Sequence, residues 1–213
     1  MSAARTTVAA ALIVAGGLAI AHAVTDGFQA YTLESARRVA ALRSPVPVPD
    51  LGLELADGGR AELAALPGRV LLVDFIYTSC PSYCLALGSI YARLQAELAR
   101  ELAVGEIRLV SVTFDPKRDG PDELRAWRAR HSADRAGWDL GRPTRPTDME
   151  RWLSAFGVVV IPDGFGGYAH NAAVHVVGPD RRLVAILGIE DVEGIAKAAR
   201  AAALGGGMHV AQR

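Results

Sequence analysis

An apolar run that ends in two cysteines constrains this chain more than any other feature of its sequence. The run Val70–Ile76 has the length of a strand and is apolar on both faces except at Asp74, which is typical of a strand buried between two layers. Cys80 and Cys84, the only cysteines in the chain, follow a few residues later. Because open α/β sheets place their sites in the crevice beyond the strand ends, the pattern predicts a functional site at these two cysteines.

Alternating strand and helix patterns surround this run. They predict, in order, a hairpin at Leu51–Leu55 and Ala61–Leu66, the strand Val70–Ile76, a helix from Leu85 to Leu102, a strand Ile107–Phe114, a helix from Pro121 to His131, an extended piece Trp138–Leu140, a helix opened by a capping box at Thr147–Glu150, a hairpin Ala173–Val177 and Leu183–Leu187, and a helix Val192–Leu204. We therefore expect an α/β fold with a thioredoxin-like mixed sheet flanked by helices. Asp74 is interpreted as a structural carboxylate, satisfied by neighbouring backbone or by a basic side chain.

The N-terminal segment, residues 1–24, is apolar from Val8 to Val24 apart from His22. A helix of this length spans roughly 25 Å, slightly less than a bilayer core. Two interpretations remain open: an uncleaved membrane anchor, or a signal peptide cleaved at the small residues around Ala23. Both place Arg5 on the cytoplasmic side. We expect a domain that is anchored in the inner membrane and faces the periplasm, or a periplasmic protein if the segment is removed.

The residues between this segment and the sheet-forming region are predicted to form a juxtamembrane connection. Residues 25–49 contain a short amphipathic helix, Asp26–Leu42, followed by prolines that alternate with valines from Pro45 to Pro49. Such alternation is typical of a stiff extended spacer rather than a packed element. The thioredoxin-like domain is expected to cover residues 50–205, and residues 206–213 a flexible tail.

Composition argues against two classes of protein: those that bind a polyanion such as nucleic acid, and those built on many disulfides. Lys plus Arg and Asp plus Glu both number 23, so nothing in the charge balance indicates a polyanionic partner such as nucleic acid. Two cysteines cannot form a disulfide-dense scaffold. A single close pair in a domain of this size is redox-active, metal-binding or a local staple.

The spacing of the cysteines narrows these alternatives. Cys80 and Cys84 are four residues apart, and Pro81 favours a helix that begins between them. A helix N-terminus stabilises thiolates, so the pair can close a disulfide, attack another disulfide or hold a soft metal ion. A disulfide with a purely structural role would add little stability, because the loop that it closes is very short. Thioredoxin motifs have two intervening residues where this chain has three, and structural zinc sites need four ligands. Two thiolates and an imidazole suit Cu(I).

Four histidines outside the N-terminal segment are candidates for that imidazole. His131 falls at the end of a predicted helix, His175 falls in a predicted strand beside the core, and His209 lies in the tail. His170 follows a glycine-rich stretch that leads into a predicted hairpin, and loops at strand ends often contain sites. On residues alone, a ligand role and a structural role for His170 both remain open.

The segment Phe75–Cys84 resembles the site of the Sco/SenC family, the copper-binding assembly factors of cytochrome c oxidase. Further matches are Val112–Pro121, the spacing from His170 to Pro179-Asp180, and Phe28–Thr32 with Arg37-Arg38. The resemblance implies a thioredoxin fold and one copper ion, Cu(I) or Cu(II), held by Cys80, Cys84 and His170. It also implies a role in maturing the binuclear copper A centre, with the oxidase subunit that holds this centre as partner and other copper chaperones or a thiol reductant as further partners.

The chain departs from the family pattern at two places. Ser82-Tyr83 stands where an acidic residue is common, and Ala169 stands where the family often has aspartate. Neither position supplies a primary ligand, so copper binding is expected to be retained, and any difference is expected in the local potential and in partner docking. Asp115 and Asp119 are predicted to brace the loop beside the site, and two roles remain open for them: plain capping, or support of the copper ligands. Three functions remain open: a copper metallochaperone, a thiol-disulfide reductase in which Cys80 and Cys84 form the redox-active pair and keep the oxidase cysteines reduced, or a redox or copper sensor that transfers nothing.

Overall fold

The apolar run Val70–Ile76 forms the strand predicted for it, with every residue buried. The computed structural model describes residues 3–80, 83–131 and 136–205, without the side chains of residues 83–85. The helices are α1 (Ala3–Val24), α2 (Leu33–Arg43), α3 (Tyr83–Glu97), α4 (Ala99–Ala103), α5 (Pro121–His131), α6 (Met149–Phe156) and α7 (Val192–Ala203). The strands are β1 (Val46–Pro47), β2 (Gly52–Leu55), β3 (Arg60–Glu62), β4 (Val70–Ile76), β5 (Ile107–Thr113), β6 (Trp138–Pro143), β7 (Val160–Pro162), β8 (Tyr168–His170), β9 (Val174–Val177) and β10 (Arg182–Leu187).

Eight of these strands form one mixed sheet in the order β1-β10-β9-β4-β5-β6-β2-β3. Strands β4, β5 and β6 run parallel, and β9 pairs antiparallel with β4. Strands β7 and β8 form a separate two-stranded ribbon. The prediction of a mixed sheet that contains a late antiparallel hairpin is confirmed.

Helices cover both faces of the sheet, as successive side chains of β4 show. Phe75 packs against Trp152 and Phe156 of α6, with ring centroids 6.4 Å and 5.2 Å away. Asp74 faces the opposite side, where it lies beside Tyr91 of α3. The predicted arrangement of a sheet between helical layers is therefore confirmed.

The sheet topology brings three connecting segments to one edge. Ile76 of β4 lies opposite Thr113 of the parallel strand β5, and Val73 lies opposite His175 of the antiparallel strand β9. The segments that follow β4 and β5 and the segment that precedes β9 therefore meet at one end of the sheet. This is the end at which an open α/β sheet places its site.

The proline-rich segment differs from the prediction of an unpacked spacer. Val46 and Pro47 form an edge strand opposite Leu183 and Arg182 of β10, and the N–H of Val48 donates to the carbonyl of Arg181 at 2.9 Å. An edge strand accommodates proline because one side of the strand needs no N–H donors. Helix α2 is also shorter than predicted, because the Thr32 side chain caps it and Leu33 is its first residue.

The predicted capping box at Thr147–Glu150 is wrong. Residues Pro146–Asp148 form a 3₁₀ turn, and α6 begins at Met149 without a side-chain cap. The Asp148 carboxylate instead accepts hydrogen bonds from Arg145 at 2.9 Å and 3.1 Å. The residue that precedes α6 is therefore Asp148 and not Thr147, and its carboxylate is held by the Arg145 guanidinium rather than by the N–H groups of the helix start.

Asp74 does not have the partners expected for it. The residue is fully buried, and among the described residues neither of its carboxylate oxygens has a well-formed hydrogen bond or a basic partner. Its polar neighbours are the hydroxyls of Ser111 and Tyr91, and burial raises the pKa of Asp74 to about 7. The carboxyl therefore titrates close to neutral pH.

The N-terminal helix α1 is 22 residues long, with a mean hydropathy of 2.1 in its most apolar window, and is exposed along its length. By length and composition it is able to cross a membrane, which is compatible with both the anchor and the signal-peptide interpretations. The predicted tail, residues 206–213, lies outside the described residues.

Candidate metal and thiol site

Cys80 lies just beyond the carboxyl end of β4 and is 7% exposed. Its N–H donates to the carbonyl of Tyr77 at 3.3 Å, which closes a turn after the strand. Helix α3 begins shortly afterwards at Tyr83, close to the predicted position. Cys84 belongs to the first turn of this helix, and its side chain lies outside the described residues. The structure thus puts the backbone of both cysteines around a helix start.

The loop before Cys80 is fixed by Asp119, as predicted. The Asp119 carboxylate is 1% exposed and accepts hydrogen bonds from the N–H of Thr78 at 2.9 Å, from the Thr78 hydroxyl at 2.6 Å and from the Thr113 hydroxyl at 2.5 Å. A buried carboxylate with several donors is well satisfied, and such bonds are stronger than neutral ones. Asp119 therefore ties the cysteine loop to the end of β5.

The sequence predicts a glycine-rich loop directly before His170. In the structure, His170 and the two residues before it form strand β8. Strands β7 and β8 pair so that Val160 is opposite His170, and Pro162 is opposite Tyr168. Gly164 and Gly166 turn the chain at the tip with φ of +79° and +90°, which favours glycine. We call residues 158–171 the histidine hairpin.

Aromatic side chains join the cysteine loop to the histidine hairpin. The Phe114 ring lies 5.2 Å from that of Tyr77, 5.5 Å from that of Tyr168 and 5.1 Å from that of His170, measured between centroids. The Tyr77 hydroxyl donates to the Tyr168 carbonyl at 3.3 Å and accepts from its N–H at 3.2 Å. Since Tyr77 also accepts the hydrogen bond from Cys80, the two halves of the predicted site meet at this cluster.

Arg118 provides a second link between the loop after β5 and the histidine hairpin. Its guanidinium pairs with Asp115, donates to the carbonyl of Gly166 at 2.6 Å and lies 5.4 Å from the centre of the Tyr168 ring. The predicted bracing role of Asp115 is therefore exerted through Arg118. Four residues of this cluster were not predicted from the sequence: Tyr77, Phe114, Tyr168 and Arg118. Aromatic residues stand just before both Cys80 and His170, and this pattern indicates that the two segments pack against each other.

The state of the His170 side chain suits a metal ligand. The residue is half-buried, and this burial lowers its pKa below the ordinary value. Its imidazole is therefore neutral at neutral pH, and the neutral form is the one that coordinates metals. Within the described part of the chain, no three Cys, His, Asp or Glu side chains come together as a metal site. The predicted ligand set includes Cys84, so it remains a prediction.

His175 and His131 both have structural roles in the fold. His175 is 1% exposed in β9, and its two ring nitrogens lie 3.1 Å from the Val73 carbonyl and 3.3 Å from the Arg37 guanidinium. Burial, with the charge of Arg37, lowers the pKa of His175 to about 3. His131 is the last residue of α5 and packs against Trp127, as predicted for a last-turn residue. His209 lies outside the described residues.

These features define a thioredoxin-like domain that has a buried cysteine and a neutral imidazole at the same edge of its sheet. The SCO1/SenC family model matches residues 52–204, and the chain belongs to this family. The SCO1 protein homolog of Bacillus subtilis is 29% identical over 130 residues, which cover 60% of this chain and 66% of that protein. The chain therefore spans slightly less than two thirds of the length of this relative.

Two solved structures establish the fold by similarity. BsSco, a member of the Sco family of cytochrome c oxidase assembly proteins, superposes with a TM-score of 0.64 at 24% identity, covering 76% of this chain and 95% of that one. Copper-bound ScoI of Bradyrhizobium japonicum superposes with a TM-score of 0.63 at 18% identity, covering 74% and 99%. The thioredoxin-like fold predicted from the sequence is confirmed.

Proposed function

We propose that this protein is a copper metallochaperone that binds one copper ion through Cys80, Cys84 and His170. The observation that supports this most is that Tyr77, in the loop before Cys80, and His170 both pack against the ring of Phe114. Membership of the SCO1/SenC family and the copper-bound relative from Bradyrhizobium japonicum support the choice of metal. A thiolate pair with one imidazole is a donor set that selects Cu(I) over harder ions.

The residues themselves account for binding and release. Both cysteines must be reduced and deprotonated to act as ligands, and the start of α3 favours the thiolate forms. The neutral His170 supplies a third donor without having to lose a proton. When bound, copper supplies ready exchange between soft ligands, which delivery to an acceptor protein requires. Cys80 and His170 lie on different structural units, so one can be released while the other is retained.

The destination that we propose is the copper A centre of cytochrome c oxidase, with the subunit that holds this centre as partner. Other copper chaperones would load the site, or a thiol reductant would keep the pair reduced. The relative BsSco belongs to a family of cytochrome c oxidase assembly proteins. Helix α1 would hold the domain at the inner membrane on the periplasmic side, unless it is cleaved as a signal peptide.

A second candidate function is a thiol-disulfide reductase for the oxidase cysteines. A disulfide switch has been identified in BsSco, which favours redox activity of the corresponding cysteine pair. In this function Cys80 and Cys84 would transfer two electrons and two protons to a target disulfide and would themselves become a disulfide. His170 would then be dispensable.

Copper titration of the reduced protein distinguishes the two functions. We expect about one copper per chain, and we expect His170→Ala to lower the affinity by more than the ~10–100-fold that loss of a supporting residue costs. The disulfide between Cys80 and Cys84 should still form in this variant. His22→Ala is the matched control, because this imidazole packs on Phe28 beside α1. It should bind copper normally.

Two results would contradict these proposals. Unchanged copper affinity in His170→Ala would favour the reductase over the chaperone. Full activity of Cys84→Ser in oxidase assembly would exclude both functions, since each requires two sulfurs.

A further inference from the structure

Asn171, the residue after His170, closes the base of the histidine hairpin. Its side-chain oxygen accepts a hydrogen bond from the N–H of Val159 at 2.7 Å, and its amide nitrogen donates to the carbonyl of Gly157 at 3.1 Å. Val159 and Gly157 precede β7, whereas Asn171 follows β8. One side chain therefore holds together the two ends of the hairpin that contains His170.

The juxtamembrane helix α2 holds this base in turn. The amide nitrogen of Asn171 lies 3.5 Å from the carboxylate of Glu34, which is a long contact, and the same carboxylate accepts hydrogen bonds from Arg37 at 2.7 Å and 3.0 Å and from Arg38 at 2.9 Å. Although partial burial alone would raise it, the bonds from these arginines lower the pKa of Glu34 to about 2. Glu34 therefore remains an anion and a fixed acceptor at physiological pH.

Arg37 fastens α2 to the body of the domain at the point where the hairpin begins. Its guanidinium donates to the carbonyl of Phe156 at 2.8 Å and lies 3.3 Å from Nε2 of the buried His175. Gly157 follows with φ of +63°, and a Cβ at this position would lie 2.8 Å from Cδ of Arg37. The chain entering the hairpin is therefore shaped around the Arg37 side chain.

We propose that Asn171 positions His170 for copper binding and that α2, through Glu34 and Arg37, fixes Asn171. This inference rests on His170 being a copper ligand, as proposed above. The hairpin lies outside the main sheet, so its angle to the Cys80 loop depends on the side chains that dock it: Tyr77 and Phe114 along β8, and the contacts at its two ends. Arg118 holds the tip through Gly166, and Asn171 holds the base. The juxtamembrane helix α2 thus supports the copper site and is not only a connection to the membrane.

The test is copper affinity of the full chain in detergent, measured by competition with a Cu(I) chelator. Loss of residues that orient a metal ligand typically weakens binding by about 10–100-fold, and we expect this for Asn171→Ala. Arg37→Ala should act in the same direction with a smaller effect. Asp139→Asn is the matched control, because it removes a bidentate pair with Arg108, at 2.7 Å and 2.8 Å, between β5 and β6. Its affinity should be that of the unaltered protein.

A double-mutant cycle separates positioning from a general effect on folding. If Asn171 acts through His170, Asn171→Ala should cause no further loss of affinity in a His170→Ala chain. Equal losses in both backgrounds would overturn the inference, because the effect would then not pass through the imidazole. Asn171→Asp provides a second variant: it keeps the acceptor for Val159 and loses the donor to Gly157, so it too should bind copper more weakly.

The failure of this inference differs from the failure of the proposed function. Unaltered affinity in both Asn171→Ala and Arg37→Ala, together with weak binding by His170→Ala, would overturn the positioning role and leave copper binding by His170 intact. Unaltered affinity in His170→Ala would overturn both.

Discussion

The cysteine side and the histidine side of the site are built in different ways. The Cys80 loop is joined to the ends of the central strands by the buried carboxylate of Asp119. The histidine hairpin lies outside the main sheet and is docked onto it by Tyr77, Arg118 and Asn171. One half of the site is therefore part of the core, and the other half is attached to it. Changes to the contacts that hold the cysteine loop should chiefly affect stability, and changes to the contacts that hold the hairpin should chiefly affect copper binding.

The largest expected effect on stability is that of Asp119→Ala. The change leaves the part-buried N–H and hydroxyl of Thr78 and the buried hydroxyl of Thr113 without their acceptor. We expect the free energy of unfolding to fall by about 3 kcal/mol, because unpaired buried donors are costly and these bonds involve a charged acceptor. Urea denaturation measures this directly.

Asp163→Ala is the matched control on the histidine side. The Asp163 carboxylate is exposed and accepts hydrogen bonds from the N–H groups of Phe165 and Gly167 at 2.7 Å and 2.9 Å, at the tip of the hairpin. Water can replace these bonds, so a loss of under about 1 kcal/mol is expected. Similar losses in the two variants would contradict the distinction between a core half and an attached half.

Two buried ionisable groups, Asp74 on β4 and His175 on β9, should make the free energy of unfolding depend on pH in opposite directions. Burial raises the pKa of Asp74 on β4 to about 7, from about 3.9 in an unfolded chain. The folded protein therefore holds an extra proton between about pH 4 and pH 7, and the free energy of unfolding falls as pH rises through this range. Asp74→Asn should remove this fall and stabilise the protein at pH 8 by about 1–3 kcal/mol.

His175 on β9 supplies the comparison for this measurement. Its pKa is lowered to about 3 by burial and by Arg37, below the unfolded value of about 6.5. Stability linked to His175 is therefore present above about pH 6.5 and is lost as pH falls toward 3. Urea denaturation from pH 4 to pH 9 tests both groups. The interpretation of Asp74 would be wrong if Asp74→Asn kept the decline between pH 4 and pH 7.

The sequence was sufficient for the features that depend on local pattern. The strand Val70–Ile76, the helix start after Cys80 and the sheet edge at which Cys80 lies all follow from periodicity and from the direction of parallel strands. The features it missed depend on distant partners. Val46 becomes a strand only because β10 offers a free edge. The histidine hairpin is defined by packing on Tyr77, 91 residues away in the chain from Tyr168.

A much smaller effect on stability than that of Asp119→Ala is expected from Tyr77→Phe, which removes the hydroxyl that joins the two halves. This oxygen donates to the carbonyl of Tyr168 and accepts from its N–H, whereas the ring packing on Phe114 is retained in phenylalanine. We expect a loss of only about 1 kcal/mol in urea denaturation, because a hydrogen bond contributes little net free energy. Tyr31→Phe is the matched control, since this side chain is 70% exposed and should have no effect.

Copper affinity should fall in Tyr77→Phe, while the reduction potential of the cysteine pair should not change, because the cysteine loop keeps its contacts with Asp119. A shift in that potential without a change in copper affinity would mean that the hydroxyl serves the thiols instead of joining the hairpin to them.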